Sequence, residues 1–276
     1  MSLKMQKILG ISITIDSEEK ILEEIQKGLE KLTKNRPNPG KNRPKIIVIS
    51  TPNPEQVVYA RQHPWFAKML NEADVTLPDG IGLVFAARFL PGLAQIARIS
   101  GVDFLDKLAG MAANKGYRVG LIGSKPSVAL SALDCLRHKH PGLTGWAVVG
   151  PDVQIESANL TIPPPGYFSD LAQELRKTNA RMIFVGLGAP KQELFIRELK
   201  ARLTTLDLPH PLVLMSVGGS FDILSGRIRR APAFLRTLGL EWLWRLLSEP
   251  WRIRRQLALF EFLWLLVVER LSGRPS

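Results

Sequence analysis

The stretch "KIIVISTPNPEQVV" (45–58) contains both local patterns from which the fold can be predicted. Its first part, "KIIVIS" (45–50), is an apolar run rich in β-branched residues, which predicts a strand buried on both faces. Its second part opens the segment 54–70, whose apolar residues recur at helical spacing. Between the two parts, Asn53 can cap the helix and Pro54 suits its first position. A buried strand followed directly by a helix is the repeating unit of an α/β fold.

The same alternation of strand and helix patterns continues to about residue 225. The other predicted strands are 74–77, 117–123, 145–150, 181–188 and 211–219. The other predicted helices are 80–90, 102–116, 125–142, 168–180 and 189–203. The stretch 151–168 is rich in turn residues and predicts a loop, after which Ser169 is the predicted N-cap of the next helix. The sequence therefore predicts an α/β fold with a Rossmann-like, mainly parallel sheet flanked by helices.

The composition changes at about Gly226, which divides the chain into a predicted α/β catalytic domain (1–225) and a C-terminal appendage (226–276). The appendage has ten arginines, no lysine and four acidic residues, so it holds +6 of the net charge of +12. Its stretch "WRIRRQLALFEFLWLLVVER" (251–270) mixes arginine and tryptophan with an apolar run too short to span a bilayer. This pattern predicts an amphipathic helix on an anionic membrane surface. The alternative is a core-packing helix with a basic outer face.

Several kinds of site lack the residues they need. The single cysteine, Cys135, allows no intramolecular disulfide and fits a reducing cytoplasmic compartment. The four histidines join no cluster of cysteines or carboxylates, so we expect no metal site and no cofactor. The stretch "VGLGAPKQELF" (185–195) has Lys191 where a dinucleotide fingerprint needs glycine. The chain also contains no P-loop, no G-x-S-x-G and no D-x-D motif.

Polar residues follow several predicted strands, at the sheet edge where ligands of α/β proteins bind. Thr51 and Asn53 follow the strand 45–50 and can donate hydrogen bonds to a ligand. The turn at 186–192 precedes a predicted helix, whose free N–H groups suit a phosphate. It contains Gly188, Lys191 and Gln192. The alternative there is a tight turn with a solvated Lys–Gln pair.

Asp79 ends the stretch "NEADVTLPDG" (71–80) between Pro78 and Gly80. The pattern alone favours an N-cap for the helix 80–90, and a carboxylate that faces a ligand is the other interpretation. In "ARISG" (97–101), Arg98 and Ser100 precede the helix 102–116 and can contact an anion or a sugar. The alternative is an ordinary arginine in a loop.

Together, six stretches resemble the bacterial WecG/TagA/CpsF glycosyltransferases, which build surface polysaccharides and wall teichoic acid. They are "STPNPEQVVYAR" (50–61), "NEADVTLPDGIGLVFAAR" (71–88), "RISGVDF" (98–104), "LIGSKP" (121–126), "VGLGAPKQE" (185–193) and "GGSFDILSGRIRRAPAFLRTLGLEWLWRLLSEPWR" (218–252). The chain departs from the family pattern in two places: it has Ser100 where a threonine is expected, and a longer basic loop at 34–44.

The resemblance implies an inverting transferase that moves a sugar such as N-acetylmannosamine from a UDP-sugar to a polyprenyl-diphosphate-linked sugar. Asp79, the acid best placed at a strand end, is then the expected general base. Donor, acceptor or leaving-group contacts are expected from Thr51, Asn53, Arg98, Ser100, Gly188, Lys191 and Gln192. Contacts with the acceptor diphosphate or the membrane are expected from Arg227, Arg229, Arg230, Arg252, Arg254 and Arg255. The transfer is expected to need no metal.

The resemblance also implies a place and partners for the protein. We expect it in the cytoplasm, peripheral on the inner face of the cell membrane. Its expected partners are the UDP-sugar, the prenyl-linked acceptor and an anionic membrane surface; no nucleic acid is expected, and a homo-oligomer is compatible with the sequence. From the residues alone, the competing hypotheses are a non-enzymatic module that binds membrane or nucleic acid, and a nicotinamide-dependent oxidoreductase.

Overall fold

A computed structural model describes most of the chain: residues 1–30, 45–123, 125, 127–156, 159–162, 166–206, 208, 210–249 and 253–272. The predictions for the basic loop 34–44, for Arg252 and for the side chains of Arg254 and Arg255 lie outside these described residues. All other predicted site residues lie within them.

The described strands and helices alternate over most of the chain, as the sequence predicts. The strands are β1 Met5–Ile8, β2 Ile11–Thr14, β3 Ile46–Ser50, β4 Val75–Thr76, β5 Arg118–Gly123, β6 Thr144–Val148, β7 Gln154–Glu156, β8 Asn159–Thr161, β9 Ala180–Gly186 and β10 Leu212–Ser216. The helices are α1 Glu18–Glu30, α2 Pro54–Gln62, α3 Pro64–Asn71, α4 Ile81–Phe89, α5 Gly101–Lys115, α6 Val128–Lys139, α7 Tyr167–Thr178, α8 Lys191–Thr205, α9 Ser220–Leu224, α10 Ala233–Thr237, α11 Glu241–Ser248 and α12 Ile253–Ser272.

A six-stranded sheet in the order β4-β3-β10-β9-β5-β6 forms the centre of the fold. All of its pairs are parallel; Met215 of the central β10, for example, lies opposite Ile49 on one side and Phe184 on the other. Every residue of β3, β9 and β10 is buried, because helices cover both faces of the sheet. The predicted α/β fold with a Rossmann-like parallel sheet is confirmed.

Alternate residues of each strand point to opposite faces and so belong to different cores. In β3, Ile47 and Ile49 pack with α1, α5, α6 and α9, whereas Ile46 and Val48 pack with α7 and α8. A third core joins the β1–β2 hairpin to α2, α3, α4 and the C-terminal α12. The C-terminal helix is thereby fixed to the edge of the sheet that carries β3 and β4.

Three local predictions are wrong, each for a physical reason. The predicted helix 54–70 is two helices separated at His63, because the ring of Pro64 disfavours helical geometry in the preceding residue. The predicted loop 151–168 contains the antiparallel β7–β8 pair. These strands have few apolar residues and lie among turn residues, so the sequence pattern for a strand is weak there. Gly166, and not Ser169, is the N-cap of α7.

The helix α12 is apolar on two sides. Phe262 and Leu266 are fully buried against the body of the protein. The outer face of α12, by contrast, leaves Phe260 and Trp264 69% and 66% exposed, with Leu271 82% exposed. Within the described residues, no helix combines the length and hydropathy that a membrane span requires.

Candidate active site

A cavity of about 260 Å³ lies at the carboxyl ends of β3, β4 and β10 and at the turn after β9. We call it the main cavity. It brings together seven of the predicted site residues: Thr51, Asn53, Asp79, Arg98, Ser100, Gly188 and Gln192. Lys191 does not line it and is exposed to solvent on the other side of the turn. Within the described residues, no three His, Cys, Asp or Glu side chains cluster as metal ligands would.

Asp79 is held by backbone hydrogen bonds that join the loops after β3 and β4 to the start of α5. The N–H of Asp79 donates to the carbonyl of Pro52 at 3.1 Å, and the N–H of Ile99 donates to the carbonyl of Pro78 at 3.1 Å. Gly80 has φ +105°, and a Cβ there would come within 3.3 Å of the ring of Pro54. The turn therefore needs glycine immediately after the carboxylate.

The prediction that Asp79 caps the following helix is wrong, because the N-cap of α4 is Gly80. The carboxylate lies against Gly101 instead, at the start of α5. A Cβ added to Gly101 would lie 3.5 Å from Asp79 Oδ2 and 3.3 Å from Thr51 Cγ2, so a larger residue would crowd both. The carboxylate of Asp79 therefore lies in the wall of the cavity and does not cap α4.

Burial raises the pKa of the Asp79 carboxyl to about 6, against the pull of Arg98 and Arg245 and with the help of Glu241. The side chain still reaches the cavity surface, although protein surrounds its other sides. Because the pKa lies below 7, the group is mainly ionised at neutral pH. Because it lies above the usual value of an aspartate, the group also takes up a proton more readily.

Thr51 and Asn53 are fixed by bonds to their own surroundings. Thr51 Oγ1 donates to the carbonyl of Ser216 at the end of β10, at 3.2 Å. Asn53 Oδ1 accepts from the N–H of Gln56 at 3.0 Å, and Gln56 Oε1 accepts from the N–H of Asn53 at 3.2 Å. This reciprocal capping box confirms Asn53 as the N-cap of α2. The NH₂ group of Asn53 takes no part in the cap and is available to a ligand.

The C-terminal helices close one side of the main cavity through ion pairs. Arg98 Nη2 lies 2.5 Å from Glu241 Oε2 of α11, and Glu241 is 9% exposed. Arg230 forms a bidentate pair with Asp103, at 2.6 and 2.5 Å. The predicted diphosphate contact of Arg230 is therefore occupied in this structure by an acidic residue of α5.

Among the wall residues that the sequence analysis missed are Glu241, Trp242 and Arg245. All three lie in α11, within the stretch "LGLEWLWRL" (238–246) that contributes to the family resemblance. The signal that could have found them is the helical spacing of Glu241 and Arg245, four residues apart and so on one face.

Arg245 stands between the main cavity and a second cavity of about 610 Å³, and it lines both. Its Nε and Nη2 are buried and have no hydrogen-bond partner among the described residues. The second cavity is lined by three further cations, Lys125, Arg227 and Arg229, and by two acidic residues, Asp222 and Glu249. Of these, Arg227 lies 3.6 Å from Asp222. Two buried guanidinium nitrogens without a partner are costly, so this part of the wall is suited to an anion.

Helix N-termini add to this preference for anions. The helices α2, α4, α5 and α8 all begin at the main cavity. The N-terminus of a helix carries the positive end of its dipole, so these four ends favour an anion in the cavity. Besides Glu55 and Glu241, the main cavity thus combines the carboxylate of Asp79 with guanidinium groups and helix N-termini, which is suited to a reaction that releases a phosphate leaving group.

Comparison with protein families agrees with this chemistry. The model of the glycosyl transferase WecG/TagA/CpsF family matches residues 6–276, which is nearly the whole chain. The match includes the main cavity, the second cavity and the C-terminal helices. The family resemblance seen in the sequence is confirmed, and the protein is a glycosyltransferase of cell-surface polysaccharide synthesis. The chain belongs to the glycosyl transferase WecG/TagA/CpsF family.

Proposed function

We propose that the protein is an inverting glycosyltransferase that moves a sugar from a UDP-sugar onto a polyprenyl-diphosphate-linked acceptor. An N-acetylmannosamine-like sugar is the proposed cargo. One observation carries the proposal: the carboxylate of Asp79 lies in the same small cavity as Arg98 and Arg245. A base and an anion-stabilising group within one cavity are the two elements that an inverting transfer needs.

In the proposed reaction, Asp79 accepts the proton of the acceptor hydroxyl as the oxygen attacks the anomeric carbon of the donor. The new C–O bond forms on the face opposite the departing group, so the configuration at the anomeric carbon inverts. The bond from that carbon to the diphosphate breaks, and UDP leaves with the electron pair. A single carboxylate is enough for this one-step displacement, because no glycosyl-enzyme intermediate forms.

The leaving diphosphate is stabilised by groups of the protein itself. Arg98 lines the cavity and forms an ion pair with Glu241. The two buried nitrogens of Arg245 have no hydrogen-bond partner among the described residues. The N–H groups at the start of α8 and α5 supply further donors. We therefore propose a transfer that needs no metal ion. Thr51, Asn53 and Ser100 line the main cavity, and we propose that they contact the donor or acceptor sugar.

The second cavity is our proposed site for the acceptor diphosphate. Lys125, Arg227 and Arg229 line it, and it meets the main cavity at Gly219 and Arg245. A diphosphate held there would place the attached sugar toward Asp79. Arginine pairs well with phosphate oxygens, because its planar donors can bind two of them at once.

We propose that the appendage 226–276 binds the cytoplasmic face of the cell membrane and brings the site to its lipid-linked acceptor. Large apolar side chains are exposed along it: Phe234, Leu238, Leu247, Phe260, Trp264 and Leu271. Aromatic and leucine side chains on a basic helix are typical of interfacial anchors. Basic groups next to them favour anionic lipid.

A vesicle-binding measurement tests this membrane role. Replacing Phe260 and Trp264 by serine should weaken binding to phosphatidylglycerol-containing vesicles by at least ~10-fold. The loss of each aromatic ring reduces the apolar area that the helix can bury in the membrane interface. Leu130→Ser is a matched control, since Leu130 is 53% exposed on α6, outside the appendage. Equal sedimentation of the double variant, the control and the unmodified protein with vesicles would contradict the membrane role.

A donor screen tests the proposed reaction itself. The protein is incubated with a short-chain prenyl-diphosphate N-acetylglucosamine and one UDP-sugar at a time. We expect UDP release and a one-sugar extension of the acceptor with at least one donor, UDP-N-acetylmannosamine first among them. UDP release that occurs equally with and without the acceptor would show hydrolysis instead of transfer.

A further inference from the structure

Glu193 is a buried acidic residue that the proposed mechanism does not use. It follows Gln192 in the first turn of α8 and is 6% exposed, whereas Gln192 is 1% exposed. Gln192 lines the main cavity, but Glu193 does not. A buried carboxyl group is costly, so its presence directly behind a cavity residue calls for a reason.

Two hydrogen bonds connect Glu193 to the cavity wall through Gln192. Gln192 Nε2 donates to Glu193 Oε1 at 2.8 Å. The N–H of Gly218 donates to Gln192 Oε1 at 2.9 Å. Because a carboxyl oxygen accepts and a backbone N–H donates, these two partners dictate which end of the amide faces which way.

Gly218 belongs to the turn that follows β10, and this turn forms part of the cavity wall. Val217, Gly218, Gly219 and Ser220 all line the main cavity. The turn is otherwise joined to β9 by the N–H of Val217, which donates to the carbonyl of Val185 at 2.9 Å. The amide of Gln192 therefore ties the turn to the N-terminus of α8, and the orientation of that amide determines where the turn lies.

The surroundings of Glu193 favour the neutral carboxyl. Glu193 Oε2 is buried and meets no full hydrogen-bond geometry among the described residues. Burial raises the pKa of the Glu193 carboxyl to about 7, against hydrogen bonds from Gln192 and Ser216 that lower it. The charged residues facing the same small cavity of about 50 Å³ are Glu72 at the end of α3 and Arg197 and Lys200 of α8. A neutral carboxyl still accepts the hydrogen bond from Gln192 through its carbonyl oxygen.

We propose that Glu193 is a positioning residue: by accepting from Gln192, it fixes the amide that anchors Gly218 and so shapes the turn 217–220 of the main cavity. It acts through Gln192 and touches no ligand. This role also revises the predicted part of Gln192. Both of its polar ends are bound to the protein, and only its second N–H remains for a ligand.

Hydrogen exchange of the unliganded protein tests the proposal at pH 6.5. Glu193→Ala should raise the exchange rate of a peptide covering 217–220 by at least ~10-fold relative to the rest of the chain, because a lost anchor opens the turn locally. Glu193→Gln keeps a neutral acceptor and should stay within ~2-fold of the unmodified protein. Leu199→Ala, at a fully buried position of the same helix, is the control for general loosening of α8.

Equal exchange of 217–220 in Glu193→Ala and Leu199→Ala would overturn the proposal, as would a Glu193→Gln variant that exchanges as fast as Glu193→Ala. If the alanine variant does not fold, Glu193→Leu takes its place, because leucine fills part of the same volume but accepts no hydrogen bond from Gln192. Exchange of 217–220 in Glu193→Leu should again rise by at least ~10-fold. Exchange within ~2-fold of the unmodified protein would overturn the proposal.

The kinetic part of the proposal rests on the proposed function. Glu193→Ala should raise the KM for the UDP-sugar by ~10-fold, with a smaller effect on kcat, because a misplaced wall weakens binding of donor and transition state alike. Exchange needs no substrate, so the two readouts fail separately. If the donor screen fails and the exchange result holds, the positioning role stands without the proposed reaction.

Discussion

Asp79→Asn is expected to lower kcat by about 10³-fold, within the usual range for loss of a general base. An amide has the shape of the carboxyl but cannot accept the proton of the acceptor hydroxyl. The backbone bonds that hold the loop, such as Asp79 N–H to Pro52, do not involve the side chain and should survive. The measurement is the initial rate of acceptor extension with saturating donor.

Binding and folding should be spared in the same variant, which separates catalysis from damage. UDP affinity should stay within ~3-fold, since no group that contacts the diphosphate changes. The melting temperature at pH 8 should not fall, because a buried carboxylate whose pKa is raised destabilises the folded state once it ionises. Asp134→Asn, on the exposed surface of α6, is the matched control and should retain full activity. More than a tenth of normal turnover in Asp79→Asn would exclude Asp79 as the base.

The dependence of kcat/KM on pH in the unmodified protein is a second test of Asp79 as the base. A base must be ionised to act, and the pKa of Asp79 is raised to about 6. We expect kcat/KM to be level above this pH and to fall about tenfold for each pH unit below it. The contribution of Asp79 to stability follows the opposite course: it is fully present below the ordinary aspartate pKa of 3.8 and is lost as the pH rises to about 6. A kcat/KM that stays level between pH 5 and 8 would be incompatible with this assignment.

Arg245→Ala is expected to lower kcat/KM by about 10²-fold or more, as loss of one electrostatic contact to a leaving group does. Two of its nitrogens are buried without partners among the described residues, and the residue lines both cavities. Its removal should weaken binding of UDP and of the acceptor together. Arg245→Lys should recover part of the loss, because lysine supplies charge but not the planar pair of donors.

Arg176→Ala serves as the control for this variant. Arg176 is an exposed arginine of α7 and does not line either cavity, so the same loss of one positive charge should leave kcat/KM unchanged. UDP affinity measured by titration calorimetry shows whether the loss arises at the leaving group. An Arg245→Ala variant with normal UDP affinity and normal kcat/KM would remove the residue from the site.

The centre of the sheet was predictable because β3, β9 and β10 are buried on both faces. The stretch 45–50 is apolar at four consecutive positions, and the structure places β3 over Ile46–Ser50. The rule that ligands bind at the carboxyl ends of parallel strands then located Thr51, Asn53 and Asp79 at the cavity. The hairpins were not predictable in the same way, since strands of three or four residues have too few positions to show a period.

It was harder to predict whether a residue at the start of a helix faces the cavity or the solvent. Lys191 and Gln192 are neighbours at the start of α8, yet only Gln192 lines the cavity. Successive residues of a helix point about 100° apart, so a shift of one residue decides between cavity and solvent. The contribution of α11 was harder to predict for a different reason. The spacing of Glu241 and Arg245 puts both on one helix face, but Glu241 pairs with Arg98 across 143 residues of chain, and no local pattern encodes that pairing.

The most direct test of the central claim is the anomeric configuration of the product. The protein and its Asp79→Asn variant are each given UDP-N-acetylmannosamine and the prenyl-diphosphate N-acetylglucosamine acceptor, and the isolated disaccharide is analysed by NMR. We expect an inverted, β-linked sugar from the α-linked donor, formed by the unmodified protein and about 10³-fold more slowly by the variant. A retained α-linkage, or equal product from both proteins, would contradict it.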